Sequence, residues 1–251
     1  MPIRRDDVRY EVVASERVTP AIAEIRLRPR TEPLAYRAGQ YVLLCDAAGA
    51  LPQRSYSIAN APRPDGCVTI LVTRVEGGAI SSWVHDRLRP GDEVSLSGPY
   101  GTFVPNPDPT PPLLLLAGGS GLAPMRAIGE ASLAQHPSRP VSLFFSARTL
   151  RDAIDHDVFE ALQRTNAAFR YLLTLTREEG TALHGHIPDL LSQEIGSTVS
   201  QEVFIAGAAG FVTACANAVR ELGADPVRVH TEPFFLEPQP WFAPTSLQPS
   251  P

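Results

Sequence analysis

The feature that most constrains this chain is a change of hydrophobic rhythm at the proline-rich segment Pro105–Pro112. Before this segment, short stretches alternate apolar and polar residues, as half-buried strands do, and residues 23–28 are the clearest example. After it, continuous apolar runs such as Leu113–Ala117 predict strands that are buried on both faces. The change predicts two domains of different class on either side of the prolines.

The first half predicts a small β-barrel. It holds five or six short stretches that favour β-structure, and turn residues separate them, which is typical of an antiparallel barrel. A single helical stretch interrupts them at residues 81–88. The strands are predicted at residues 8–14, 23–28, 40–45, 68–75 and 93–96.

The second half alternates strands with helices, which requires right-handed crossovers and predicts a doubly wound parallel sheet. Ligands bind such sheets outside the carboxyl ends of the strands. Glycine-rich loops, Gly118–Gly121 and Gly207–Gly210, follow two of the predicted strands, so this half is predicted to bind a nucleotide. The strands are predicted at residues 113–117, 141–145, 169–175, 203–206 and 227–231, with helices from residue 123, at 158–164 and at 211–222.

Composition argues against several function classes. The formal net charge of −5 argues against nucleic acid as a partner, because its phosphates attract a basic surface. No apolar run approaches the ~18 residues of a membrane span, and the N-terminus lacks the apolar core of a signal peptide. The three cysteines form no C-x-x-C pair, so we expect no metal site and a reducing, cytoplasmic location.

Three short motifs offer ligand contacts. Gly118–Gly121 lies between a buried strand and a helix, where backbone N–H groups attract a pyrophosphate; the alternative is a simple tight turn, since the G-x-G-x-x-G pattern is missing. Arg54–Ser57 offers a guanidinium for phosphate, a ring for stacking and a hydroxyl, or else is an ordinary surface strand. Gly77–Trp83 is a second anion site or a simple helix cap.

Taken together, these motifs resemble the ferredoxin–NADP reductase superfamily of flavoproteins, and within it the reductase components of bacterial oxygenases. The resemblance covers residues 10–235. Four blocks match in order: Arg54-Ser55-Tyr56-Ser57, Gly78–Ser82, Gly98–Phe103 and Gly118–Pro124. It implies a six-stranded antiparallel FAD-binding barrel at residues 1–108, an NAD(P)-binding α/β domain at 109–235 and a proline-rich tail at 236–251.

The resemblance also implies roles for individual residues. Arg54 would bind the FAD pyrophosphate, Tyr56 would pack on the flavin, and Ser57 would hydrogen-bond near flavin N5, the atom that accepts hydride. The pyrophosphate would also contact the loop and helix start at Gly78, Ile80 and Ser81, and the adenosine half would be flanked by Leu71, Val72 and Thr73. The nicotinamide dinucleotide would be held by Gly118, Gly119, Ser120 and Gly121, with Ser120 near the flavin edge.

The chain departs from the family pattern in three places. The second nucleotide loop usually reads Cys-Gly-Pro, but here it begins Ala206-Gly207, so the family's thiol near the nicotinamide is absent. The four clustered cysteines of a fused ferredoxin domain are missing, so electrons must leave the flavin for another molecule. Glu232 matches the C-terminal Glu-x-Phe block and would relay protons, whereas the tail beyond it is either disordered or places Trp241 or Phe242 over the flavin.

The choice between NADPH and NADH depends on the 2'-phosphate. Thr176 and Arg177 resemble the Ser-Arg pair that binds this phosphate in NADPH-using relatives, and Arg148 adds charge nearby. Glu178 and Glu179 would repel it. The alternative for Thr176-Arg177 is a solvated loop, so the sequence leans towards NADPH without deciding.

We therefore expect an FAD-dependent NAD(P)H oxidoreductase that reduces a separate acceptor protein, such as a ferredoxin or an oxygenase component. One alternative is a reductase that releases reduced free flavin. The other is a non-catalytic subunit that holds FAD or nucleotide within a larger complex, an alternative that the missing thiol keeps open.

Overall fold

The computed structural model describes residues 7–108, 110–178 and 185–235. The predicted tail at 236–251, with Trp241 and Phe242, lies outside these residues, as does Glu179. The chain forms two sheets, one before and one after the proline-rich segment. Among the helices of the described residues, none has the length and hydropathy that a membrane crossing requires.

The first sheet is a six-stranded antiparallel barrel, as predicted. Its strands lie in the order β4-β3-β6-β1-β2-β5, and a bridge between Ile58 and Ile70 joins the two outer strands. The elements are β1 (Asp7–Arg17), β2 (Ile22–Pro29), β3 (Tyr41–Asp46), β4 (Arg54–Ser57), β5 (Val68–Thr73), α1 (Ala79–Asp86) and β6 (Glu93–Tyr100).

Apolar and polar residues alternate along the strands, and the apolar side chains fill the barrel. In β2, Ile25 and Leu27 are fully buried, while Arg26 between them and Arg28 after them face solvent. One apolar cluster collects the inward side chains of all the strands, because successive residues of a strand point to opposite faces.

The second sheet is parallel, with five strands in the order β11-β10-β7-β8-β9, which confirms the doubly wound prediction. The strand order reverses between β7 and β10, and that is where such sheets bind ligands. The elements are β7 (Leu113–Gly118), α2 (Leu122–Gln135), β8 (Val141–Ala147), α3 (His156–Thr165), β9 (Phe169–Leu175), α4 (Ile187–Glu194), β10 (Glu202–Ala208), α5 (Ala209–Glu221) and β11 (Val229–Phe234).

Several elements differ from the sequence prediction: α1 begins and ends two residues earlier than predicted, and β4 was not among the predicted strands. Helix α4 was not predicted, although Pro188 in its first turn and the buried pair Ile187 and Leu191, four residues apart, are the signals that mark it. The last strand begins and ends later than predicted, so Glu232 lies inside β11 and pairs with Ala206 of β10. Parallel pairing with β10 extends this strand beyond its apolar residues.

A buried ion pair holds the linker against the amino end of the parallel sheet. Arg139 donates to Glu202 at 3.0 Å, and the two side chains are 3% and 4% exposed. The Asn106 N–H also donates to Glu202, at 2.9 Å, and His230 lies 3.3 Å from it. Burial alone would raise the pKa of Glu202, but these hydrogen bonds outweigh it, so the pKa lies below its usual value.

We predict that Arg139→Met destabilises the fold by ~3–5 kcal/mol, because it leaves the Glu202 carboxylate buried without its cation. In the wild type, the stabilisation from Glu202 is present above the pKa of the unfolded chain and is lost as the pH falls through the lower folded pKa. Thermal unfolding at several pH values measures both effects. Glu160→Gln, which breaks an exposed pair with Arg164, is the control and should change little. An equal effect of both variants would contradict the prediction.

Candidate functional site between the two domains

Two glycine loops meet at the point where the strand order reverses. A Cβ atom added at Gly121 would lie 2.1 Å from the Ala206 carbonyl oxygen, so only glycine allows the two loops to approach this closely. Gly207 has a φ of 149°, which also favours glycine, and its backbone lies against the Gly118 carbonyl. The predicted dinucleotide loops are therefore packed together at the carboxyl edge of the sheet.

Phe211 covers the back of this junction. Its ring would lie 3.2 Å from a Cβ at Gly118 and 3.1 Å from one at Gly207. Gly119, in contrast, has open space around it and a φ of 55°, so its backbone is exposed at the mouth of the loop. Phe211 was missed from sequence because it lies on a helix four residues beyond Gly207; its signal is the aromatic in the first turn after a glycine loop.

Strand β4 carries the flavin motif, the residues Arg54–Ser57, whose side chains point alternately to its two faces. Arg54 and Tyr56 pair with Leu44 and Val42 of β3, so they share one face of the sheet, and Tyr56 packs against the barrel core. Tyr56 is half-buried against that core, and burial raises the pKa of its phenol, with Arg54 opposing the shift. Arg54 and Tyr56 thus share a side, as their spacing predicts.

Ser57 and Glu232 connect the two domains across the cleft. Ser57 Oγ donates to Glu232 Oε1 at 2.8 Å, and the two residues are 175 positions apart in sequence. Burial raises the pKa of Glu232, and the hydrogen bond from Ser57 partly offsets this by stabilising the charged carboxylate. Both residues predicted to be catalytic therefore meet at one point, next to Ala206 on the neighbouring strand.

A second hydroxyl pair bridges the cleft beside the first glycine loop. Thr73 Oγ1 of the barrel donates to Ser120 Oγ of the nucleotide domain at 2.9 Å. Leu71 and Val72, also predicted to flank FAD, have buried side chains, so any contact they make with a ligand comes from their backbone. Their predicted roles remain predictions.

The Ser81 side chain forms its hydrogen bonds within the turn that precedes α1. The hydroxyl accepts from the Val75 N–H at 3.1 Å and lies within hydrogen-bond distance of the Val75 and Gly78 carbonyl oxygens. The Ile80 side chain is buried, so at the helix start the backbone N–H groups are what these residues offer an anion. The role of this turn in pyrophosphate binding also stays a prediction.

Strands β8 and β9 bring the predicted phosphate-binding residues together. The Arg177 N–H donates to the Arg148 carbonyl at 2.9 Å, and the Thr176 N–H donates to the Ala147 carbonyl at 3.0 Å. Both arginine side chains are exposed at the carboxyl edge of the sheet. The Glu178 carboxylate accepts from the Leu150 N–H at 2.8 Å, which gives its charge a partner within this loop.

Family models match both halves of the chain. An oxidoreductase FAD-binding domain matches residues 9–104, and an oxidoreductase NAD-binding domain matches residues 115–217. A ferredoxin–NADP reductase from Sorangium cellulosum is 34% identical over 92% of this chain and 98% of its own length. The chain belongs to the ferredoxin–NADP reductase superfamily.

Longer proteins of this superfamily resemble the chain as well. The reductase subunit of an Amycolatopsis aromatic O-demethylase is 36% identical over 81% of this chain, which spans only 62% of that relative. The crystal structure of an Amycolatopsis cytochrome P450 reductase superposes with a TM-score of 0.84, at 33% identity over 91% of this chain and 69% of that one.

The residues present fit both cofactors of the family. Gly121 packs tightly against Ala206, whereas the backbone of Gly119 is exposed with open space around it, as contact with a pyrophosphate requires. On the barrel side, Arg54, Tyr56 and Ser57 supply a cation, a ring and a hydroxyl along one strand that faces the nucleotide domain at Ser57. These residues therefore have the chemistry that binding of FAD and a nicotinamide nucleotide requires.

We predict that Gly121→Ala abolishes nucleotide binding, because its methyl group would overlap the Ala206 carbonyl and force the loops apart. Equilibrium dialysis with NADP⁺ and a thermal melt measure the two consequences. Gly129→Ala is the matched control, since this helix position lies outside both loops and a Cβ there meets only Leu115 Cδ1, at 3.6 Å. Unchanged NADP⁺ binding by Gly121→Ala would contradict the packing of the two loops.

We predict that Ser57→Ala raises the pKa of Glu232 further, because it removes the bond that stabilises the carboxylate. With a raised folded pKa, the folded state holds a proton that the unfolded chain releases, so stability falls as the pH rises through that window. A ¹³C NMR titration of the glutamate carboxyls measures the pKa directly. Ser55→Ala, on the same strand but exposed, should leave it unchanged; a lower Glu232 pKa in Ser57→Ala would contradict the prediction.

Proposed function

We propose that this protein is a reductase that takes electrons from NADPH or NADH through bound FAD and passes them to a separate ferredoxin or oxygenase-type component. The observation that carries the proposal is the contact between Ser57 and Glu232, because it joins the flavin motif of the barrel to the edge that carries both glycine loops. Bound FAD would supply the chemistry, accepting hydride from the nicotinamide and releasing electrons to the acceptor.

The chain's own residues bind, orient and move a proton. Arg54 would pair with the FAD pyrophosphate and Tyr56 would pack on the ring, which fixes its position against the barrel. Ser57 would turn its hydroxyl from Glu232 to the hydride-accepting nitrogen. Glu232 has a raised pKa and lies at the domain junction, so it would take up the proton that is released when the electrons leave the site and pass it to solvent.

The acceptor is proposed from the relatives. The Amycolatopsis protein is named as the reductase subunit of an aromatic O-demethylase, and the Sorangium protein as a ferredoxin–NADP reductase. The second of these matches this chain over nearly its whole length. An acceptor on a separate polypeptide, a ferredoxin or an oxygenase component, therefore agrees with both.

We propose NADPH as the preferred donor, because Arg148 and Arg177 lie on adjacent strand ends with exposed guanidinium groups. Two such groups suit the 2'-phosphate that distinguishes NADPH from NADH. A cytoplasmic location is proposed from the three unpaired cysteines, which fit a reducing compartment.

Anaerobic stopped-flow reduction of the purified FAD-bound protein tests the function. We predict that NADPH bleaches the flavin absorbance and that Ser57→Ala retains FAD but slows the bleaching by about tenfold, as expected for one lost hydrogen bond. A colourless protein that binds no FAD, or a flavin that neither nucleotide bleaches, would overturn the proposal. Saturation of turnover by added FMN or riboflavin would indicate a free-flavin reductase instead.

We predict that the double variant Arg148→Ala, Arg177→Ala weakens NADPH binding by ~10- to 100-fold and leaves NADH binding unchanged, because only NADPH carries the extra phosphate. The Kd of each nucleotide, measured by flavin difference spectra, separates the two effects. Arg164→Ala, an exposed arginine on α3, is the control. Equal losses for both nucleotides would show that the arginines do not read the phosphate.

A further inference from the structure

A cavity of about 250 Å³ lies between the barrel and the nucleotide domain. Among the described residues, none of those predicted to bind FAD or the nicotinamide nucleotide lines it. Its walls come from β2 and β5 of the barrel and from α2, α3 and the sheet of the nucleotide domain. Val158, at its edge, is 62% exposed, so the cavity is accessible from solvent.

Part of the lining of this cavity is apolar. It is formed by Leu115, Met125, Leu143, Phe159 and Phe169, all of them buried. An apolar cavity of about 150 Å³ is large enough to bind benzene. The present cavity therefore has room for a single aromatic ring with one or two substituents.

A glycine in the middle of α2 keeps the cavity open. Gly129 lines it, and a Cβ built on this residue would meet only Leu115 Cδ1, at the ordinary distance of 3.6 Å. Glycine inside a helix is destabilising relative to alanine, by roughly 1 kcal/mol. The position thus tolerates a methyl group that would stabilise the helix and reduce the cavity, yet the chain has glycine there.

Polar residues that line the cavity offer hydrogen-bond acceptors. Arg126 Nη1 donates to Glu24 Oε2 at 2.7 Å and to Asp155 Oδ2 at 2.6 Å. Within the described part of the chain, no other donor reaches the second oxygen of either carboxylate, and a carboxylate oxygen can accept more than one bond. A bound molecule with a hydroxyl donor would satisfy one of them.

The charges around the cavity balance, which argues for a neutral ligand. Three acidic and three basic side chains line it: Glu24, Glu130, Asp155, Arg26, Arg63 and Arg126. A charged ligand would leave one sign in excess in a partly buried site, and that is costly. We propose that this cavity is a second ligand site, which binds a neutral molecule with one aromatic ring and a hydroxyl group.

Titration of the FAD-bound full-length protein with 4-fluorophenol, followed by ¹⁹F NMR, tests the proposal. We expect saturable binding with a Kd on the order of 1 mM, suitable for so small a ligand. Fluorobenzene lacks the donor, and 4-fluorobenzoate and 4-fluorobenzylamine carry a charge, so all three should bind at least ~10-fold more weakly, the effect of about one hydrogen bond. Equal binding of all four, or no saturable binding of 4-fluorophenol, would overturn the proposal.

Variants of the cavity wall locate the binding. Gly129→Ala should raise the Tm of the unliganded protein by ~2–4 °C and weaken 4-fluorophenol binding ~10-fold or more. Leu162→Phe, which fills the cavity from α3, should also weaken it. Asn217→Ala, an exposed substitution on α5 that favours helix, controls for a gain of stability alone and should leave the Kd unchanged.

Three results would contradict this location. A lower Tm in Gly129→Ala would show that the helix has no space for a methyl group at this position. Full 4-fluorophenol affinity in both cavity variants would place its binding elsewhere. Displacement of 4-fluorophenol by NADP⁺ would place it in the nucleotide site. None of these results depends on whether the protein reduces FAD, so the cavity and the proposed function are tested separately.

Discussion

Arg126 is the residue on which the relative placement of the two domains most depends. Its Nε donates to the Ala59 carbonyl at 2.6 Å, and its Nη1 contacts Glu24 and Asp155. Only 12% of the side chain is exposed, so the guanidinium would be very costly to bury without both carboxylates. Arg126 lies on α2, which begins immediately after Gly121. The ion pair to the barrel therefore fixes the first glycine loop relative to the flavin motif.

The other contacts across the cleft are weaker in kind. Ser57 with Glu232 and Thr73 with Ser120 are single hydrogen bonds from hydroxyl groups, each worth roughly 0.5–1.5 kcal/mol, or more where the partner is charged. Exchange of such a bond for one to a ligand is close to neutral, whereas removal of one partner of the Arg126 cluster would cost several kcal/mol. The interface thus combines a strong contact away from the proposed cofactor site with exchangeable contacts at that site.

The sequence predicted both sheets because their periodicities differ, and it predicted the motif residues because each block is local. It could not predict which of them touch. Ser57 and Glu232 are far apart in sequence, and their contact depends on the register of β11 against β10, which no local pattern encodes. The Arg126 cluster was missed for the same reason, since an arginine on a helix resembles any solvated residue. The short helix α4 was missed because eight residues give little periodic signal.

Strand register also bears on the missing thiol of the second loop. Ala206 is fully buried, and its carbonyl lies against Gly121. Its methyl side chain adds no polar group to the junction. The residue paired with it on β11 is Glu232, whose carboxylate reaches Ser57 instead. The adjacent strand therefore supplies a carboxylate beside this junction, and this group can carry a proton because burial raises its pKa. Although the family's thiol is absent, the junction thus keeps a group that can carry a proton. This favours a catalytic protein over a subunit that only holds nucleotide.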